Sequence, residues 1–138
     1  MTKQEFLAMS LPYGINILWR DGERVLLDTR NIRFIFQNDE FTKPILYPLS
    51  DLTKPIEHKG EKFVPIDRFL EDIVREWNMC NINYPNDAKG LYGDIIKNIT
   101  SCEFWIIQKL IEWHFDIADL LSKGEAINVN TLEENPYK

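Results

Sequence analysis

The hydrophobic period of this chain changes along its length, and that change constrains the fold more than any single motif. In the first half Ile15, Ile17 and Trp19 alternate with Asn16, Leu18 and Arg20, the two-residue period of a half-buried strand. Asp21-Gly22 follows and signals a type I′ hairpin, because both residues tolerate positive φ. Val25, Leu27 and Thr29 continue on a returning strand, and Ile32, Phe34 and Phe36 share one side of a third strand from Ile32 to Gln37. Ile45-Leu46-Tyr47 lies between Pro44 and Pro48 and reads as a short edge strand, since proline cannot donate to a ladder. Ser50 to Thr53 reads as one helical turn stopped by Pro55, and Lys59-Gly60 joins residues 56–58 to 62–64 as a second hairpin.

From Asp67 the period is helical. Phe69, Leu70, Ile73, Val74 and Trp77 form one stripe over residues 67–77, with Asp67 as the cap. Arg68 with Asp72 and Glu71 with Arg75 have ion-pair spacing on the outer side. Near the start, Thr2-Lys3-Gln4-Glu5 is a capping box opening a short helix that carries Phe6, Leu7 and Met9. Pro12 and Gly14 close that helix. Residues 78–93, rich in Asn, Pro and Gly, read as the longest loop, a length that is often functional or mobile. Thr100-Ser101-Cys102-Glu103 repeats the capping box and opens a final helix from residue 100 to about 121, closed by Lys123-Gly124. Ala126 to Val129 adds a short extended piece before a frayed tail from about residue 130. The expected fold is one α+β domain over residues 1–138. Its antiparallel meander, about residues 15–65, is packed by helices 67–77 and 100–121.

Composition bounds the partners. With 44% hydrophobic residues in 138, there is material for an ordinary core. The 16 Lys and Arg stand against 22 Asp and Glu, a formal net charge of −6. Nucleic-acid affinity comes mainly from neutralised phosphates, and the most basic stretch, Lys54 to Lys62, is interrupted by Glu57 and Glu61. No nucleic-acid partner is expected. No apolar run reaches membrane-span length and the N-terminus lacks a signal-peptide core, so no membrane partner and a cytoplasmic setting are expected. Cys80 and Cys102 are far apart and outside any C-x-x-C pair, which reads as two reduced thiols.

The chemically loaded stretch is Glu112-Trp113-His114-Phe115-Asp116. On a continuous helix, at about 100° per residue, Asp116 and Asp119 fall within roughly 40° of Glu112 and His114 roughly 200° from it. That separation argues against a shared metal site, and Lys109 and Lys123 can pair with the carboxylate stripe. His114 then reads as a residue at the border of the core. His58, the other histidine, could meet a cysteine or serine only through the fold. Asp21, Asp28, Asp39 and Glu40 sit near strand ends, where acids serve turns. No nucleophile-elbow, phosphate-loop or dinucleotide-binding motif occurs. No metal, cofactor or catalytic residue is assigned. The apolar positions of the final helix extend past a half-circle, so Trp105, Ile111 and Phe115 form a candidate surface for a protein partner or a second copy.

Three stretches, "FLAMSLPYG", "LYPLSDLTKPIEHKGEKFVPI" and "QKLIEWHFDIADLLSKGEAINVNTLEENPYK", together about half the chain, resemble a group of small uncharacterised proteins. That group is carried by bacteriophages, prophages and related mobile elements of anaerobic bacteria. The resemblance implies a phage-encoded protein acting in a bacterial cytoplasm, and it implies no activity, cofactor or site residue. The leading expectation is a non-enzymatic protein-interaction module of a mobile element. The alternative is a small hydrolase-like or nuclease-like enzyme whose carboxylates converge in three dimensions.

Overall fold

Thr2 opens the first helix as the capping box requires. Its hydroxyl accepts from the Glu5 amide at 3.1 Å, and the Glu5 carboxylate accepts from the Thr2 amide at 3.3 Å. Helix α1 runs Lys3–Ser10, and a helical turn at Leu11–Tyr13 ends at Gly14, whose φ of 70° is the left-handed conformation glycine adopts without strain. The computed structural model describes residues 1–77 and 86–138. The chain forms two compact units: residues 1–48 with 108–136, and residues 49–107 with 137–138.

Among the described residues the strands are, in chain order, β1 (Asn16–Trp19), β2 (Arg24–Leu26), β3 (Thr42–Leu46), β4 (Ile56–His58), β5 (Glu61–Phe63) and β6 (Ile127–Asn128). The helices after α1 are α2 (Ile32–Gln37), α3 (Pro65–Trp77), α4 (Asn86–Lys97) and α5 (Phe104–Glu112). The mixed α and β composition is as the sequence implies. All pairings between residues 15 and 65 are antiparallel, but they make two sheets rather than one meander. The first unit holds the order β2-β1-β3-β6, and β4 with β5 pair separately in the second.

In the first unit Ile17 stands opposite Val25 and Pro44, so these three share one side of the sheet. Ile15, Ile17, Leu27, Thr42 and Leu46 are buried, and the alternation at the start of the chain marks this core side. Lys3 lies in the same unit, charged yet buried. Its ammonium donates to the carbonyls of Asp39, at 2.7 Å, and Thr42, and pairs with the Asp39 carboxylate at 3.2 Å. Three donors meet three acceptors, which ties α1 to the start of β3.

Several expected elements are corrected. The β1–β2 turn is not type I′: Gly22 alone has positive φ, 93°. Trp19 N donates to the Glu23 carbonyl at 2.7 Å and Asp21 Oδ1 accepts from Glu23 N, the three-residue loop with a left-handed glycine. Residues 32–37 are helix α2, not a third strand. Asp28 Oδ1 accepts from the amides of Arg30 and Asn31, Asn31 Oδ1 accepts from Asp28 N, and Ile32 N donates to the Asp28 carbonyl at 3.1 Å. This knot of turn bonds starts a helix, and in so short an apolar run the period alone does not separate helix from strand.

β3 is central, not an edge. Arg20 N donates to the Phe41 carbonyl at 2.8 Å. The alternation of an antiparallel ladder then turns the Pro44 nitrogen away from β1. Pairing with β6 is parallel and starts one residue later, Ile45 opposite Ile127, so the proline costs no ladder bond. The last residues are not a frayed tail. Asn135 Nδ2 donates to the Tyr47 hydroxyl at 2.7 Å within the first unit, and Tyr137 is buried in the second.

In the second unit Lys59 (φ 50°) and Gly60 (φ 79°) form the β4–β5 turn, and Lys59 N donates to the Tyr137 carbonyl at 2.8 Å. α3 begins at Pro65, with Asp67 inside its first turn rather than capping it; proline suits the first helical position because the missing N–H has no partner there. Phe69 and Leu70 of its stripe are buried. The expected pairing of Arg68 with Asp72 is replaced by Arg68 with Glu61 at 2.6 Å, and Arg75 pairs with Asp72 at 2.5 Å. Of the expected loop 78–93, residues 78–85 lie outside the described residues and the rest belongs to α4.

Candidate functional site

The C-terminal stretch that concentrates the chemical residues is not one helix. α5 starts at Phe104 instead of Thr100 and ends at Glu112 instead of Leu121. His114, 1% exposed, takes φ 66°. Its amide donates to the Ile111 carbonyl at 3.0 Å and the Phe115 amide to the Leu110 carbonyl at 2.9 Å. These are the two bonds of a Schellman closure, with histidine where glycine is usual. The chain then runs beside the end of β3: Tyr47 N donates to the His114 carbonyl at 2.8 Å and Asp116 N to the Tyr47 carbonyl at 3.0 Å. The Tyr47 and Phe115 rings lie 5.4 Å apart.

The three acids therefore part company. Glu112 pairs with Lys109 at 3.1 Å. Asp116 is buried, its carboxylate accepting from the Leu120 and Leu121 amides at 2.8 and 2.9 Å. Burial raises its pKa above the ordinary 3.8; those amide bonds oppose the rise, and the charge of Asp119 adds to it. Asp119 is exposed, with φ 57°. Gly124 closes this segment as the sequence implies, with Glu125 N donating to the Leu120 carbonyl at 2.9 Å, though what it closes is a turn and not a long helix.

The three residues of the candidate surface are placed differently. Ile111 and Phe115 are buried, at 3% and 0% exposure, so neither can offer surface to a partner. Trp105 is half-buried, stacked edge-on against Phe69 at 5.8 Å, and its indole donates to Glu103 at 2.7 Å. His58 is buried in the second unit. Cys102 is half-buried, its thiol pKa raised by burial and by the charge of Asp94, and Cys80 lies outside the described residues. Among the described residues no three His, Cys, Asp or Glu converge to hold a metal ion, and no helix is long and apolar enough to cross a membrane.

Exposed apolar side chains of the first unit include Met9 and Phe34 off the sheet, and Leu26 and Phe41 on the side of the sheet opposite Ile17 and Thr42. Partners in register point to the same side. Leu18 of β1 stands opposite Arg24 of β2 and Lys43 of β3, so a half-buried leucine sits in a row between two cations. Two residues along each strand, Arg20 and Phe41 form the next row on this side, with the guanidinium 5.9 Å from the ring centroid. Asn16 stands opposite Leu26, which is 53% exposed. Of these rows Leu18, Lys43, Arg20 and Phe41 line a cavity of about 350 Å³ together with Trp19, Glu40 and Ile127 of β6. Among the described residues, Arg20, Arg24 and Lys43 enter no ion pair. An apolar floor of Leu18, Phe41 and Ile127, with the cations Arg20 and Lys43 and the carboxylate of Glu40 around it, can seat an apolar group that carries a negative charge beside it.

The sequence names half of this site. The alternation that marks Ile15, Ile17 and Trp19 as core also marks Leu18 and Arg20 as its opposite side. Phe41 and Lys43 escape because Pro44 disguises their strand; the signal that could find them is the alternation Phe41-Thr42-Lys43-Pro44-Ile45. Compared with known protein families, curated proteins and solved structures, the chain matches none of them.

Proposed function

We propose that this chain is a non-enzymatic protein-interaction module of a phage or mobile element, acting in the bacterial host through the outer side of the β2-β1-β3-β6 sheet. The observation that carries the reading is the row Arg24–Leu18–Lys43 with Phe41 and Leu26 exposed beside it. Exposed apolar groups rimmed by charge mark interaction sites more than they mark solvent-facing sheet. The setting follows from the resemblance of the three stretches to mobile-element proteins. The proposed surface is therefore not Trp105, Ile111 and Phe115 but the end of the sheet around Leu18, where Leu26 and Phe41 are exposed.

Photocrosslinking tests it. Benzoylphenylalanine replacing Leu26, in protein expressed in an anaerobic bacterium, should give a discrete adduct that is missing when the label replaces the exposed Glu134. The adduct should vanish when Leu18→Glu is added to a chain whose spectrum remains that of the folded protein. No adduct at position 26, or identical adducts at both positions, defeats the proposal.

A further inference from the structure

The cations around Leu18 say what kind of partner fits, given the interaction-module reading on which this inference rests. We propose that the sheet's outer side binds an extended acidic–apolar peptide segment of another protein. A carboxylate of the segment sits between Arg20 and Lys43, and the adjoining large apolar side chain covers Leu18, Phe41 and Ile127.

Size supports a peptide. The cavity of about 350 Å³ is at the low end of the roughly 300–1,000 Å³ of ligand sites, room for a side chain or two and not for a protein domain. Charge supports a carboxylate. Two cations, Arg20 and Lys43, without ion-pair partners among the described residues, line the cavity with one acid, Glu40, and Arg24 stands in register beside Leu18, while the chain as a whole carries −6. A carboxylate in contact feels the nearby cations, whereas a run of phosphates extends beyond the patch into the field of an acidic protein, where screening is complete only beyond a Debye length of about 8–10 Å. Glu40 also disfavours a second acid at its end of the cavity, which sets the direction of the segment. Backbone geometry favours binding over the face and not at the edge. The Leu26 carbonyl, which points outward from β2, already accepts from Asn31 Nδ2 at 2.8 Å, so added-strand pairing there is obstructed.

The test is a two-dimensional ¹H–¹⁵N spectrum of the full chain titrated with an acetylated, amidated peptide of alternating leucine and glutamate. Shifts should be confined to the amides of residues 16–20, 24–26, 40–43 and 127. The same peptide with glutamine for glutamate should bind roughly tenfold or more weaker, the equivalent of about 1.4 kcal/mol. Arg20→Glu and Lys43→Glu should each weaken the acidic peptide by at least as much, while distant amides keep their positions and so report an intact fold. Equal binding of the glutamine peptide overturns the proposal, as does tighter binding of an oligouridylate, or shifts at these amides on dilution of the protein alone, which would make a second copy the occupant. Adducts at position 26 combined with no response to the acidic peptide would leave the module standing and remove only this partner.

Discussion

At the scale of single residues, Asp116 couples folding to pH. Its pKa is raised in the folded chain chiefly by burial, above the ordinary 3.8. A carboxylate with a raised folded pKa adds stability below its unfolded pKa, and that contribution is lost as pH rises through the folded value. Asp116→Asn keeps one oxygen to accept an amide and removes the titration. The unfolding free energy of the wild type, measured relative to Asp116→Asn by urea titration, should therefore fall as pH rises from about 4 towards neutrality. A difference that stays flat or rises over that interval would mean that the amides of Leu120 and Leu121 outweigh burial. The sequence does not reveal this residue. On a helix wheel Asp116 is one of three solvated acids, and only the break at His114 turns it inward. That break has no glycine or proline to announce it; the left-handed histidine is held by the pairing of residues 114–116 with Tyr47, a contact 67–69 residues away in the chain.

Elements show the same division. In local capping and turn chemistry the sequence is legible at the Thr2–Glu5 box, the Lys59-Gly60 hairpin and the Gly124 closure, though not at Asp21-Gly22, Asp67 or Thr100. Where a distant strand decides, as for α5 against a long helix or β3 against an edge, it is not. Lys59 illustrates the first kind. Both turn residues have positive φ, and asparagine tolerates that conformation better than lysine. Lys59→Asn should stabilise the fold by about 0.5–1 kcal/mol in urea unfolding, the scale of a relieved left-handed residue; loss of stability would mean that the lysine side chain, and not the turn, matters. Phe115 illustrates the second kind. Buried completely against Tyr47, it belongs to the core as firmly as Trp113, which is 4% exposed beneath the Lys109 ammonium. Phe115→Ala and Trp113→Ala should each cost about 3–5 kcal/mol by thermal or urea unfolding. A Phe115→Ala protein that melts like the wild type but associates differently would restore the helix-surface reading.

Over the whole molecule, charge can be counted from composition while topology escapes the sequence. The parallel pairing of β3 with β6 joins residues about eighty positions apart through a two-residue strand, and no periodicity can signal so short a match. Charge, by contrast, is additive and needs no fold to be counted. The first unit's sheet gathers Arg20, Arg24 and Lys43 on one side, yet the molecule still carries −6. For duplex DNA the affinity depends on how many phosphates are neutralised, and each contributes to the slope of binding against salt. Three cations offset by Glu40 and a repelling remainder leave at most two or three such contacts, too few for a stable complex. In a mobility-shift assay at about 0.15 M salt, the full chain should therefore give no saturable band up to ~10 μM protein. Arg20→Glu should leave that result unchanged even as it weakens the acidic-peptide response. A saturable, salt-sensitive shift lost with Arg20→Glu would show instead that the same cations read phosphate, and would reverse the assignment of the sheet's outer side.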